Sequence, residues 1–117
     1  MKKITIGTIK GRHAMPVDTY IFNESIEDVT NTLKMYRAID EALKDYDSVT
    51  AYVTGLTVVT TELCYYCFSN HKALTLMHFN SATGEYYPQE IVSSYQAKKN
   101  KEAEEFLFFE KTLKEQV

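Results

Sequence analysis

The sequence predicts an α/β fold in which a mainly parallel sheet ends in an antiparallel strand and is followed by a long C-terminal helix. Two observations lead to this prediction. Strand-like segments alternate with segments whose apolar residues recur every three or four positions, which is typical of βαβ units. The last two strand-like segments are separated only by the short polar stretch "NSATG", which indicates a hairpin. The chain has 117 residues, a length that suits a single domain.

The first half of the chain predicts a strand, a loop, a second extended segment and a helix. "KKITIGTIK" is a strand that ends before Gly11, and "VDTYIF" is either a short second strand or an extended edge segment. Asn23 or Ser25 can cap a helix that continues to about Tyr46. The apolar residues of that helix are spaced by three, four and seven: Ile26, Val29, Leu33, Tyr36 and Leu43.

The second half predicts two buried strands around an apolar helix, then a hairpin and a long helix. "SVTAYVT" and "ALTLMHF" are the strands, and "LTVVTTELCYYCFSN" is the helix between them. "EYYPQEIV" is an antiparallel last strand, and Pro88 makes it an edge strand. Two serines at 93 and 94 can cap the final helix.

The prediction divides the chain into an α/β core, residues 1–92, and a C-terminal helix, residues 93–117. The final helix contains "FLFF", residues 106–109, four consecutive apolar residues that extend around the helix. One sheet cannot bury all of them. We therefore expect a homodimer or a higher homo-oligomer whose interface includes this helix.

Composition and charge exclude several classes of protein. The net charge of −3 does not favour general binding of DNA or RNA. No apolar run is long enough to cross a bilayer, and the N-terminal segment lacks the apolar region of a signal peptide. The expected location is the cytoplasm, without membrane contact.

Polar side chains follow three of the predicted parallel strands. Ligands of open α/β sheets bind outside the carboxyl ends of such strands, where helix N-termini present free N–H groups. The first loop has an arginine and a histidine, the second has threonines around a glycine, and the third has a histidine and an asparagine. The predicted ligand-binding residues are Gly11, Arg12, His13, Thr54, Gly55, Leu56, Thr57, His78, Phe79 and Asn80.

This edge is suited to an anion, although a purely structural interpretation of its residues stays open. Arginine and the helix N-terminus favour negative charge, but Gly55 can serve only the turn and Thr57 only as an N-cap. Neither a P-loop nor G-x-G-x-x-G is present, so no ATPase or dinucleotide enzyme is indicated. Three tyrosines are candidates to stack on a base: Tyr20, Tyr86 and Tyr87.

The C-x-x-C formed by Cys64 and Cys67 is interpreted as a pair of core residues. It lies within an apolar helix, whereas a redox C-x-x-C sits at a helix N-terminus that lowers a thiol pKa. His71 alone would not complete four zinc ligands. Neither a metal nor a cofactor is predicted.

The block "VTAYVTGLTVVTTELCYYCFSNHKALTLMHFNSATGEYYPQEIV" resembles the C-terminal strand-helix-strand-hairpin unit of SAVED and CARF domains, the Rossmann-like sensors of cyclic oligonucleotides in prokaryotic antiviral defence. It covers a little over a third of the chain. The strand ending at Gly55, the apolar helix, the Phe79–Asn80 pair and the "GEYYP" turn carry the likeness. The resemblance implies a small Rossmann-like domain. A SAVED domain pairs two such halves in one chain, so it also implies a dimer here.

The resemblance implies a ligand made of linked nucleotides, or another nucleotide-derived signal, held by Gly55, Leu56, Thr57, Phe79 and Asn80. A small domain without an effector would sequester or sense such a signal, in CRISPR-type or related defence or in phage counter-defence.

Two alternatives to binding remain open. The first is a metal-independent phosphodiesterase resembling a ring nuclease, with His13 or His78 as acid or base and Arg12 stabilising the developing charge. The second is a structural or scaffolding protein whose strand ends bind no ligand.

Overall fold

The computed structural model describes residues 2–11 and 14–115, and shows the predicted α/β architecture. Its elements are, in chain order, β1 (Lys3–Ile9), β2 (Tyr20–Phe22), α1 (Thr32–Leu43), β3 (Ser48–Tyr52), α2 (Thr57–Ser69), β4 (Ala73–Asn80), β5 (Glu85–Val92) and α3 (Ser94–Glu115). The five strands form one sheet in the order β2-β1-β3-β4-β5. Every neighbouring pair is parallel except β4 and β5, which form the antiparallel hairpin at one edge.

The three helices all pack on one face of the sheet. The register aligns Ile6 with Ala51 and Ala51 with Leu76, so these side chains share a face. All three belong to the main core cluster, which also contains residues of each helix: Ile39 and Leu43 of α1, Leu63, Tyr66 and Cys67 of α2, and Ala97 of α3. The hydrophobic core is therefore a single layer between the sheet and the helices.

The opposite face of the sheet carries no helix in the described part of the chain. Here the register aligns Thr5 with Thr50 and Thr50 with Thr75, and these side chains are exposed or half-buried. The central strands predicted to be buried thus alternate between buried and half-buried residues, as β3 shows along its whole length. Threonine suits such positions because it combines β-branching with a hydroxyl that water can solvate.

The connection from β1 to β2 passes over this second face. A Cβ atom added to Gly7 would lie 2.6 Å from the Cδ1 atom of Tyr20 and 3.0 Å from the Cγ2 atom of Val17. The Tyr86 hydroxyl also donates a hydrogen bond to the Ala14 carbonyl, at 3.5 Å. The strand order explains why this connection lies on the second face. The step from β1 to β2 runs across the sheet in the opposite direction from the step from β3 to β4. Because crossovers are right-handed, two connections that run in opposite directions lie on opposite faces of the sheet.

Helix α1 begins later than the sequence predicted, at Thr32 rather than near Asn23 or Ser25. The Asp28 carboxylate accepts hydrogen bonds from the Thr30 backbone N–H and hydroxyl, at 3.0 and 2.6 Å, in a local turn that competes with helix. Asn31 then caps the helix by accepting from the Lys34 N–H. The predicted apolar face was also partly wrong, because Val29 and Leu33 are exposed and the buried residues of α1 are Met35, Ile39 and Leu43.

Helix α2 ends in a Schellman motif with a histidine where glycine is usual. His71 has a φ of 57°, its N–H donates to the Phe68 carbonyl, and the Lys72 N–H donates to the Cys67 carbonyl. The His71 Nε2 atom contacts the Glu104 carboxylate of α3. This contact fastens the end of α2 to the C-terminal helix.

Helix α3 follows a serine cap, as predicted, since Ser93 Oγ accepts from the Gln96 N–H. It has 22 residues, which corresponds to about 33 Å of helix. Ala97 is its one residue classed as buried, and all four residues of "FLFF" are more than 60% exposed. The C-terminal half therefore projects from the α/β body, in agreement with a longest dimension of 60 Å.

Both cysteines lie within α2 rather than at its N-terminus. Cys67 is fully buried in the core cluster and Cys64 is half-buried beside it. Burial raises the pKa of the Cys67 thiol to about 12 and also raises the pKa of Cys64. Protonated, buried thiols suit packing rather than redox chemistry.

The first prediction tests the close packing over Gly7. We expect Gly7→Ala to lower the free energy of unfolding by about 1–3 kcal/mol, because the added methyl group displaces the Tyr20 ring and Val17. Urea denaturation measures the change. Gly55→Ala is the matched control: its Cβ would meet nothing within 4 Å, so its effect should stay within about 0.5 kcal/mol. Equal losses of stability at Gly7 and Gly55 would contradict the close packing of Tyr20 and Val17 over Gly7.

The second prediction concerns the cysteines. The double variant Cys64→Ala and Cys67→Ala should lose a few kcal/mol of stability at most, and should retain any ligand that the parent binds. In the parent, a thiol reagent at pH 8 should label Cys67 only after denaturant is added, since its thiol stays protonated and enclosed. Rapid labelling of both thiols, or stoichiometric zinc in the purified protein, would contradict this assignment.

Candidate functional site

The candidate site lies at the topological switch point of the sheet. After β1 the chain turns towards β2, and after β3 it turns the other way, towards β4. The carboxyl ends of β1 and β3 are neighbours, and the connections that leave them pass to opposite faces. Open α/β sheets bind ligands above the strand ends at such a division, and we call this position the crevice.

The β1 side of the crevice begins with Lys10 and Gly11. The Lys10 N–H donates to the Phe22 carbonyl at 2.9 Å, which extends the pairing with β2, and both Lys10 and Gly11 are exposed. Gly11 has a φ of 91°, a conformation that favours glycine. The predicted site residues Arg12 and His13 follow directly, and they lie outside the described residues.

The β3 side is the turn into α2. The Thr54 hydroxyl accepts a hydrogen bond from the Leu56 N–H at 3.5 Å, and Leu56 is the N-cap of the helix. Thr57 is thus the first residue of α2 and not its N-cap, which corrects one interpretation of the sequence. Gly55 has no positive φ and open space around its Cβ position, so the turn does not require glycine on steric grounds.

The N-terminus of α2 is not capped by any side chain in the described part of the chain. Leucine at the N-cap has no acceptor atom, whereas serine, threonine, aspartate or asparagine there would accept from a first-turn N–H. The Leu56 carbonyl accepts from Val59 and Thr60, while the earlier N–H groups of a helix have no intrahelical partner. The end of α2 therefore presents donors and a partial positive charge at the switch point.

The third predicted group, His78–Phe79–Asn80, lies in the part of β4 that pairs only with β5. The last β3–β4 pair is Tyr52 with Met77, so these residues extend past the end of β3 into the β4–β5 hairpin. Asn80 stands about 10 Å beyond Met77 along the strand. Its side chain accepts from the Ala82 N–H, which is a turn contact. Gly11 and residues 54–57 thus follow the neighbouring strands β1 and β3, whereas Asn80 lies at the hairpin turn.

His78 has a specific polar contact within the hairpin. Its Nε2 atom lies 2.8 Å from the Gln89 side-chain oxygen, and its ring centroid is 5.4 Å from that of Tyr87. An amide oxygen neither takes nor gives a proton at neutral pH. This contact orients the imidazole without supplying a partner for acid–base catalysis.

An aromatic cluster on the second face of the sheet was not predicted as a unit. The Tyr86 ring packs edge-on against Tyr52, at 4.8 Å between centroids, and against Phe79, at 5.3 Å. Burial, together with Tyr52 and Tyr20, raises the pKa of Tyr86. Tyr20 lies over Gly7 on the same face. The period-two alternation of β3 and β4 was the sequence signal that could have placed these rings on one face.

The structure also shows a cavity of about 520 Å³ beside the N-terminal end of α1. It borders the end of β2 and has three carboxylates, from Glu24, Glu27 and Asp28, and one lysine, Lys34, among its lining side chains. Hydrogen bonds from Thr30 lower the pKa of Asp28, which keeps that carboxylate charged. The excess of negative charge makes this cavity unsuited to an anion, in contrast to the α2 end.

The described residues were also compared with the requirements of a metal site and of a membrane-spanning helix. Among residues 2–11 and 14–115, no group of three histidine, cysteine, aspartate or glutamate side chains is placed to hold a metal ion. No helix in the described part of the chain combines the length and apolar character needed to span a bilayer.

Comparison of the chain with protein-family models, curated proteins and solved structures found no match. The resemblance to SAVED and CARF domains consequently rests on the sequence pattern alone. What the geometry establishes is a small α/β domain with an uncapped helix N-terminus at its switch point.

Proposed function

We propose that this protein binds a nucleotide-derived anionic signal in the cytoplasm, and so sequesters or senses it. A cyclic oligonucleotide of prokaryotic antiviral defence, or of phage counter-defence, is the ligand class that fits best. The proposed site comprises Gly11 and residues 54–57, joined from the sequence by Arg12 and His13. The observation that carries the proposal is the uncapped N-terminus of α2 at the switch point.

The helix end supports binding of a phosphate group. Its N–H groups can donate to phosphate oxygens, and the helix dipole places about half a positive charge there. The hydroxyls of Thr54 and Thr57 are further donors within the same turn. Since Gly55 leaves its Cβ position open, a ligand can approach the backbone closely at this point.

The aromatic cluster supports a nucleotide over a bare phosphate. Tyr52, Tyr86 and Phe79 form a connected group near the carboxyl ends of β3 and β4. Stacking on an aromatic side chain contributes about 1–3 kcal/mol per base and tolerates any base. The net charge of −3 argues against a long nucleic acid and is compatible with a ligand of few phosphates.

Assembly is part of the proposal. In the SAVED pattern two half-domains occur in one chain, whereas residues 2–11 and 14–115 of this chain form one sheet with one switch point. A homodimer or higher homo-oligomer through α3 would provide two copies of the site, and the exposed "FLFF" supplies the apolar surface for it.

Cleavage of the same signal would be detected by a separate measurement. The contact of His78 with Gln89 gives no proton-transfer partner. Chromatography of candidate ligands after incubation separates the two: intact ligand indicates binding alone, and cut ligand indicates a phosphodiesterase.

The third prediction places a carboxylate at the helix end. Thr57→Glu should fold at least as well as the parent, because a glutamate in the first turn of a helix stabilises it by about 0.3–1 kcal/mol. It should abolish binding of cyclic di-, tri- and tetranucleotides, measured by isothermal titration calorimetry, since its charge occupies the place of the ligand phosphate. Thr61→Glu, exposed one turn later in the same helix, is the matched control and should bind as the parent does.

The outcomes separate the alternatives. If Thr57→Glu and the parent bind the same ligand equally, the switch point is not the site. If the parent binds none of the panel and carries no small ligand in native mass spectrometry after purification from cells with antiviral signalling systems, the scaffolding interpretation replaces the proposal.

The fourth prediction tests the loop after β1. Arg12→Ala should weaken the ligand that the parent binds by about 1.5–3 kcal/mol, the contribution of a charge-assisted hydrogen bond. The same calorimetric titration measures it. Lys3→Ala, at the opposite end of β1, is the control for a general loss of positive charge. Equal, small effects of the two changes would show that Arg12 makes no specific contact with the ligand.

A further inference from the structure

Helix α3 carries a regular apolar and charged seam on the side that faces away from the body. Its residues are spaced alternately by four and three, the spacing of a coiled-coil seam. We call it the outer seam: Tyr95, Lys99, Glu102, Phe106, Phe109 and Leu113.

The opposite side of α3 is the side that contacts the body. Ala97 is buried there, Glu104 contacts His71, and Phe108 borders the gap beside His71. At 100° per residue, Phe106 lies about 180° from Ala97 around the helix. The body cannot cover the outer seam while these contacts persist. Its four apolar members are between 48% and 74% exposed.

We propose that the outer seam binds the outer seam of a second copy of this chain, with the two α3 helices antiparallel and centred between Leu107 and Phe108. Each Phe106 then packs against the partner copy's Phe109, and each Leu113 meets the partner copy's Glu102 at the margin. The inference rests on the proposed assembly through α3 and deepens it by fixing the orientation and register. It does not depend on the identity of the ligand.

Charge excludes the parallel arrangement. A parallel, in-register pair stacks Lys99 on Lys99 and Glu102 on Glu102, because each heptad position meets its own copy. It also sets Glu105 opposite Glu110 at the flanking positions. Like charges in such places oppose association.

The antiparallel arrangement removes all three conflicts. Glu105 then flanks Thr112, and Glu110 flanks Ala103. The overlap extends over residues 100–115 of both helices, which include the part of α3 that projects from the body. The two α/β bodies come to lie at opposite ends of the helix pair, so they do not compete for space.

The size of the seam indicates a weak, concentration-dependent dimer. An aromatic side chain buries about 150–250 Å². The four phenylalanines of the pair are about two-thirds exposed before association, so they contribute roughly 500 Å², and the leucines and flanking residues add to this. Specific interfaces begin near 1,000 Å² in total, and small ones are transient.

Analytical ultracentrifugation over a range of concentrations tests the seam. The parent chain should form a dimer at micromolar concentration. Phe106→Gln should raise the dimer dissociation constant at least about tenfold, because each dimer loses two buried rings. Phe108→Gln is the matched control, since Phe108 is even more exposed than Phe106 but lies on the opposite side of the helix, and the variant should dimerise as the parent does.

Disulfide trapping tests the orientation. A mixture of the Glu102→Cys and Leu113→Cys variants should form a mixed disulfide under mild oxidation, and each variant alone should not form one with itself. A mixture of Glu102→Cys with Lys111→Cys, on the other side of the helix, is the negative control. The parent chain, oxidised in the same way, shows whether Cys64 or Cys67 forms a disulfide between copies.

Each result has a defined meaning. Self-linked Glu102→Cys would overturn the antiparallel arrangement and leave assembly through α3 intact. Equal effects of the Phe106 and Phe108 changes would overturn the outer seam as the interface. A monomer at 100 µM or above would overturn both assembly and seam. Nucleotide binding by that monomer would still leave the binding proposal standing.

Discussion

The handedness of the crossovers determines where everything else in this protein lies. Because β1→β2 and β3→β4 cross the sheet in opposite directions, right-handed connections must lie on opposite faces. Helices α1 and α2 therefore share one face, and the β1–β2 connection passes over the other. The same constraint sends the chain in opposite directions after β1 and β3, and so places the switch point beside α2. The position of the core, the face without a helix and the candidate site all follow from one topological rule.

Helix α2 connects the parts of the single helical layer. Its Tyr66 hydroxyl donates to the Asp40 carboxylate of α1 at 2.8 Å, and burial with this carboxylate raises the pKa of Tyr66. At the opposite end from the crevice, Lys72 donates to the Tyr46 carbonyl at 2.6 Å, and His71 contacts Glu104 of α3. One helix thus separates the proposed ligand, at its N-terminus, from the projecting α3, at its C-terminus.

Much of the fold could be predicted from the sequence, because strand and helix periods differ and the turns have characteristic residues. The hairpin, the edge strand with Pro88 and the serine cap of α3 were local signals and were confirmed. The start of α1 was not, because Asn23, Ser25 and Asn31 are all good caps, and the turn at Asp28 and Thr30 that delays the helix is not marked by the apolar spacing. The same limit applies to Asn80, because asparagine suits both a turn and a ligand site, and the sequence alone does not show that its side chain accepts from the Ala82 N–H.

The row formed by Thr5, Thr50 and Thr75 has a consequence for how this chain can change. Parallel sheets are usually enclosed on both faces, so that almost every strand residue is tied to the core. Here alternate residues of the central strands meet water instead of a helix. Substitutions at these positions can accumulate, or can create a new contact surface, without disturbing the core residues that lie beneath the helices. One half of each central strand holds the fold, while the threonine positions on the other half are open to evolutionary variation.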